Sequence, residues 1–525
     1  MRWFLVVALV LPLGCSRRAS VTLDAGSPDI PPDQWIPPDQ VPPPDHAPDA
    51  PPPPPGCQGM SGFTKAKTIS KLRTKKALFR SKLDLVVLIG TSGSALAVSL
   101  PAGMSTALGS ARALEWLDPA ETTLLVERDS TTTPGSGYDL WAVPIDGSPG
   151  KLLAQGVCDH RAAPDGSRVL VLRSCQSYSG TLELVDVTSG TTAWIEQGVS
   201  TSSLELSKDG AWAVFVSGAS ETGNCNYRRG AAQTVDSAGQ THLIETGVLE
   251  HSVGLATTGS GATVLYRTLA SCDEAGVQLW SKAADGAGSA TLLAQALDYA
   301  YPFFPRPRYA VSADGSRLLG AKVGLTDAQL FAVPLDGSGE KLIAADLFPY
   351  MMISMAFQPW AFSRSGDHVV YTSTAPPYPT MGLSSVTSAT GKFTPLSAQI
   401  QPAAYVLSPA ADEVAYLEPP DASGMTKVWL ARLQNGASQA RFGSTLSVAR
   451  LGFVPGGRGL LLTAADKAGS TTLYYAAASG AQLVAGLGEW SASEMNGYVT
   501  DPGGCAALFD SDLDGGGTFL VLIPR

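Results

Sequence analysis

Charge is scarce in this chain. Asp, Glu, Lys and Arg make up 16% of its 525 residues and balance to −10, which argues against the body being a general nucleic-acid binder. Histidine is rarer still, with only His46, His160, His242, His251 and His368. Gly-x-Ser-x-Gly, His-Glu-x-x-His and Gly-x-x-x-x-Gly-Lys are all missing, which removes the signatures of a hydrolase elbow, a zinc protease and a phosphate loop. Apolar periodicity at 3.6 residues is nearly absent, so a helical fold is excluded. No apolar run of about 18 residues follows the first residues, so no membrane-spanning helix is expected in the mature chain.

Glycine, by contrast, numbers 55, and much of it falls in turns that recur. An apolar run at Ala310-Val311 meets the turn Ala313-Asp314-Gly315-Ser316. A second run follows, and a third, Leu330-Phe331-Ala332-Val333, ends at Asp336-Gly337. Asp-Gly supplies the positive-φ positions of a tight hairpin, so the stretch reads as an antiparallel meander. The first turn has counterparts at Asp118-Pro119-Ala120, Pro164-Asp165-Gly166-Ser167, Lys208-Asp209-Gly210 and Thr258-Gly259-Ser260-Gly261. Further copies stand at Arg364-Ser365-Gly366-Asp367, Pro409-Ala410-Ala411-Asp412, Pro455-Gly456-Gly457 and Asp501-Pro502-Gly503-Gly504, nine turns in all at steps of 44 to 55 residues. That is the period of four-stranded propeller blades. Third strands repeat as well, as in Leu140-Trp141-Ala142-Val143 and Leu279-Trp280-Ser281-Lys282.

A blade has two apolar faces that only its neighbours can cover. The expected fold is therefore all-β, a β-propeller of four-stranded antiparallel blades. Eight blades are expected, with seven or nine as alternatives and two small rings as the remaining one. The last repeat, ending Phe519-Leu520-Val521-Leu522-Ile523, lacks an outer strand. Leu85-Val86-Val87-Leu88-Ile89 or Ala95-Leu96-Ala97-Val98 is expected to supply it, closing the ring by pairing N- and C-terminal segments.

The stretches Ala163-Pro164-Asp165-Gly166-Ser167-Arg168-Val169-Leu170 and Ser312-Ala313-Asp314-Gly315-Ser316-Arg317-Leu318-Leu319 resemble WD40-like propeller repeats of the TolB type. The resemblance covers roughly residues 80–525 and implies architecture more than function, since such repeats also occur in peptidase accessory domains and envelope proteins. The repeats run to the last residue, so neither the hydrolase domain of peptidase propellers nor the α/β domain of TolB is expected.

Residues 1–14 read as an export signal: Arg2, an apolar run, then Gly14 before Cys15. Leu11-Pro12-Leu13-Gly14-Cys15 resembles a bacterial lipoprotein signal, with Pro12 departing from the usual aliphatic residue. The resemblance implies that Cys15 is acylated, and Ser16 implies an outer-membrane address, facing the periplasm or the surface. The alternative is an ordinary secretory signal with a stray cysteine. Residues 15–56 form a Pro/Asp-rich tether in which half the positions between Pro28 and Pro55 are proline. At about 3.1 Å per residue, some 40 such residues reach roughly 120 Å in polyproline II. Residues 57–525 make up the propeller. Its opening run, residues 65–82, holds eight basic residues and no acid. That run is read as a lysine-guarded strand or edge, with contact to anionic polymer as the alternative.

Six cysteines besides Cys15 suggest disulfides in an exported chain. Cys158 and Cys175 flank the Gly166-Ser167 turn symmetrically, so a regular hairpin sets them opposite each other. Cys225 and Cys272 fall in matching loops of successive blades, and Cys57 with Cys505 would tie the start of the body to its last blade.

Chemistry is thinly marked. His160 beside Asp159 is a candidate for lining the channel, against a structural histidine. Asp510-Ser511-Asp512-Leu513-Asp514-Gly515 matches the start of a calcium loop, with Asp510, Asp512 and Asp514 as ligands, but no glutamate stands at the twelfth position. The alternative is an acidic hairpin turn, and calcium is the one cofactor considered. The chain is read as a monomeric, lipid-anchored, non-catalytic envelope module that binds or scaffolds an envelope protein or polymer. It touches the membrane through the anchor alone and binds no nucleic acid. Candidate surfaces are the connections after Ser217 and Tyr371 and the segments 299–308 and 348–360. The alternatives are a glycan-acting hydrolase or lyase at the channel mouth, with Asp159, Asp273, Asp346 and Asp412 as acids to watch, and calcium-dependent adhesion.

Overall fold

A computed structural model describes residues 67–523, apart from 101, 131–136, 177, 222–227, 259–260, 271–276, 296–309, 313, 324–327, 346, 348–359, 376–379, 389, 402–403, 410–411, 458, 466–470, 478–479, 489–497 and 512–516. A compact body spans Pro53–Arg525. The signal, Cys15 and the tether lie outside the described residues. Every regular element described is a β-strand, and every named strand pair is antiparallel.

Alternation within the strands decides how the sheets pack. The strand Leu85–Gly90 is buried almost throughout, unlike its neighbours Thr74–Phe79 and Ser105–Ser110. Val86 and Leu88 point to one face and pack with Ala506, Leu508 and Leu520 of the last sheet. Val87 and Ile89 point to the other and pack with Leu114, Leu124 and Val126 of the next sheet. A strand covered on both sides can be apolar at every position, because successive side chains serve different neighbours. The pattern continues along the chain. Leu125 joins Val169 and Val171, Leu170 joins Phe215, Val214 joins Val264, and so on to Leu461 with Phe509. Sheets stacked face to face in chain order, each a four-stranded meander, are the blades of a β-propeller.

Traced in this way, ten four-stranded groupings occur among the described residues, not eight. Nine of them follow the nine turns of the sequence, and the tenth is Thr74–Phe79, Leu85–Gly90, Ser94–Ser99 and Ser105–Ser110. Its first turn places Leu83, not glycine, at positive φ (57°), so it carries no Asp-Gly signature. Those strands form a blade of their own and do not complete the last one. The outer strand of the last blade is Lys67–Ser70, which pairs with Gly517–Leu522 in the register Lys67↔Leu520. Some blades are joined by one unbroken strand. Lys151–Ala162 pairs through its first half with Tyr138–Pro144 and through its second with Arg168–Gln176.

The turns follow the expected chemistry. Asp314 accepts the Ser312 hydroxyl (2.5 Å), the Ser316 amide (3.0 Å) and the Ser316 hydroxyl (2.7 Å), while Gly315 takes φ +67°. Those donors hold its carboxyl down to about 2. Asp165, Asp209 and Asp336 are likewise lowered, by serine or backbone donors in their turns.

A polar seam joins the first and last blades. The Thr74 amide donates to Asp510 Oδ2 and the Thr518 hydroxyl to Asp510 Oδ1, both at 2.8 Å. Thr74 and Thr518 are fully buried and Asp510 is 7% exposed. Burial pushes the Asp510 carboxyl up, against those two donors. Replacing Asp510 by Ala strands the buried Thr74 amide, while the Thr518 hydroxyl keeps the Leu72 carbonyl as acceptor, and should cost about 2 kcal/mol; an unchanged urea midpoint of the full chain would contradict this. The lowered turn carboxylates contribute stability above the ordinary aspartate value, and that contribution is lost as pH falls through their folded values. Asp501 and Asp510, both raised by burial, hold their protons more tightly when folded and oppose the loss. A melting-temperature series from pH 5 to 2 should therefore fall in the native chain and fall more steeply in Asp510→Asn.

Candidate functional site

The first strands of three successive blades border a cavity of about 690 Å³. Ala113–Trp116 contributes Glu115 and Trp116, the end of Lys151–Ala162 contributes Asp159, His160 and Arg161, and Glu205–Leu206 closes the third side. First strands have no further strand on their axial side, so polar residues there remain accessible.

His160 is the hub. Its Nδ1 lies 2.7 Å from the Tyr138 hydroxyl and its Nε2 3.4 Å from Glu115 Oε1. Its backbone amide donates to Asp159 Oδ1 (2.9 Å), which also accepts Arg161 Nη1 at 2.6 Å. The hydrogen bond from His160 is the main reason the Glu115 carboxyl sits below its ordinary value, against the opposing effect of burial. Burial pushes the Tyr138 hydroxyl strongly up, helped by the charges of Glu127 and Asp159. The Arg112 guanidinium lies 5.8 Å from the Tyr138 ring centroid, a cation–π contact. Carboxylates outnumber bases around the cavity: Glu115, Asp118, Glu121, Glu127, Asp159 and Glu205 face His160, Arg161 and Lys208.

Cys158, two residues from His160, is disulfide-bonded to Cys175 with Cα atoms 6.3 Å apart. The ladder bulges there, Leu172 pairing with Asp159 but Arg173 with Val157. The bridge therefore joins a bulge to its partner strand, not two residues in simple register. Cys505 is also held in a disulfide. Cys57, Cys225 and Cys272 lie outside the described residues.

Of the acids marked in the sequence, Asp159 lies in the cavity. Asp412 accepts the Ser365 hydroxyl at a turn (2.9 Å) and is absent from the cavity lining, and Asp273 and Asp346 lie outside the described residues. Asp510 serves the blade seam, whereas Asp512 and Asp514 lie outside the described residues. Among the described residues no three His, Cys, Asp or Glu side chains converge as a metal site. Of the suggested surface segments, 299–308, 348–359 and the connections at 222–227 and 376–379 lie outside the described residues, while Trp360 is 1% exposed and belongs to a core. Glu115, Tyr138 and Arg161 went unmarked in the sequence. The available signal was a charged residue inside a short first strand, Glu115 between Leu114 and Trp116.

No protein-family model matches the chain, and no curated protein matches it. Among solved structures, similarity is found to Porphyromonas gingivalis dipeptidyl peptidase 4, with 11% identity, a TM-score of 0.43, and coverage of 78% of this chain and 65% of that one. A eukaryotic initiation factor gives 9% identity and a TM-score of 0.43 over 80% of this chain and 89% of the other. An oligogalacturonate lyase in complex with manganese gives 11% and 0.32 over 86% and 99%.

The disulfide closes a separation of 17 residues, which by loop-closure entropy is worth about 3 kcal/mol. Cys175→Ser should lower the unfolding free energy by that order in chemical denaturation, and dithiothreitol, which also reduces the disulfide of Cys505, should lower it at least as much in the native chain.

Proposed function

We propose that the chain is an exported, lipid-anchored propeller of the cell envelope that binds an envelope polymer in the cavity around His160 without cleaving it. The observation that carries this reading is the set of fixed partners around that histidine. Glu115, Tyr138, Asp159 and Arg161 are tied into one network, so they present donors and acceptors in set positions to a ligand. The surplus of carboxylates, with Trp116 and Tyr138 beside them, suits a segment bearing hydroxyl and ammonium groups, such as an amino-sugar chain. Glycan cleavage is the weaker reading. It needs a carboxylic acid that stays protonated near neutral pH, yet Glu115, the carboxylate bonded to His160, is held below its ordinary value. The Cys158–Cys175 disulfide supports export, since such bonds persist in oxidising compartments. Anchoring at Cys15 with a proline-rich spacer agrees with a body that must reach a polymer some distance from the lipid.

Titration of the full chain with a glucosamine tetramer tests the reading by calorimetry. Glu115→Gln and His160→Gln should each weaken binding by roughly tenfold or more, the worth of a hydrogen bond to a charged group. Equal affinity in the native chain and both variants, or no heat with the native chain, would refute it.

A further inference from the structure

We propose that Ser202, His251 and Glu250 form a nucleophile, base and orienting acid able to cleave small carboxylic esters, at a place separate from the cavity. Ser202 follows the strand Thr192–Ser200, whereas Glu250 and His251 follow Thr241–Leu249. They thus stand in equivalent connections leaving two successive blades, and the packing of those blades brings together residues 49 apart in sequence. None of the three lines the cavity. The short strand Glu205–Leu206 runs from the Ser202 connection to the Lys208-Asp209-Gly210 turn, so the two sites occupy different parts of one blade.

Ser202 and His251 stand in the hydrogen-bonded contact that nucleophilic catalysis requires, with the Glu250 carboxylate at electrostatic range of the ring. The Ser202 hydroxyl is hydrogen-bonded to His251 Nδ1, and His251 Nε2 lies 3.8 Å from Glu250 Oε2. Exposure is graded in the same order. Ser202 is half-buried, the His251 side chain is 36% exposed, and that of Glu250 is 3% exposed. The other Glu250 oxygen accepts Arg228 Nη1 at 2.7 Å, which fixes the carboxylate in place. A proton on Nε2, toward Glu250, leaves Nδ1 free to accept from serine. Burial holds His251 below the ordinary imidazole value; Glu250 pulls it up, while the charges of Arg228 and Arg267 pull it down. Burial therefore favours the neutral ring, the state a base needs. Beside it, Tyr178 is 72% exposed, with the Arg228 guanidinium 5.9 Å from its ring centroid. That ring offers an apolar face to an aromatic ester.

The chemistry balances without a cofactor. Ser202 Oγ adds to the ester carbonyl carbon as its proton passes to His251 Nδ1. Collapse of the adduct breaks the bond to the alkoxy oxygen, which takes that proton and leaves as the alcohol. Water then adds to the acyl carbon, giving a proton to His251. The bond to Ser202 breaks, the acid departs, and the serine oxygen recovers the proton.

The full chain is to be treated with a fluorophosphonate–rhodamine probe and, separately, with p-nitrophenyl acetate. Mass spectrometry should place the label on Ser202. Ser202→Ala should lose it while keeping the native melting temperature. His251→Gln should slow ester hydrolysis about 100-fold or more, and Ser148→Ala, at an exposed turn, should match the native chain. A native chain that takes no label, or a label undiminished in Ser202→Ala, would overturn the proposal.

Discussion

A four-stranded sheet with two apolar faces cannot stand alone in water. Everything in this fold follows from the need to cover both faces of every sheet at once. The chain meets that need with the simplest periodicity available to a strand: odd positions serve one neighbour and even positions the other. Val86 and Leu88 against Val87 and Ile89 are the clearest instance. Because the middle strands are committed on both sides, polarity is concentrated in turns, outer strands and first strands, with the seam carboxylate Asp510 a buried exception.

That confinement explains where chemistry can sit. A charged side chain in a middle strand would be buried between two blades without water, at a cost of several kcal/mol. In a first strand it faces open space and can be paired across the gap to the next blade, as Glu115 is with His160. The connections between blades offer the second opportunity, since each ends close to the equivalent connection of its neighbour. Ser202 and His251 meet there for the same geometric reason.

The architecture was legible because its signals are local. Asp314 and Gly315 announce a turn whichever blades lie on either side, and nine such turns at one period announce the array. Blade number was harder to read, because the first turn of the first blade puts Leu83 at positive φ and carries no Asp-Gly pair. The source of the last outer strand was legible only as a requirement. Lys67–Ser70 has two exposed positions, Lys67 and Thr68, and no strong apolar pattern, so pairing with Leu520 and Phe519 is what makes it a strand. The cavity was half legible. His160 and Asp159 stood out by rarity, whereas Glu115 and Tyr138 become partners only through the placement of separate strands.

The seam between Thr74 and Asp510 links residues 436 apart. During synthesis the first blade is therefore complete in sequence long before anything exists to cover its outer face, and Lys67–Ser70 emerges with no partner at all. Two-sided burial of that blade is the last event possible, reached when the final residues arrive. Until then the growing molecule carries an uncovered apolar sheet and an unpaired strand, both templates for self-association. A truncation near the C-terminus therefore harms the beginning of the molecule as much as its end.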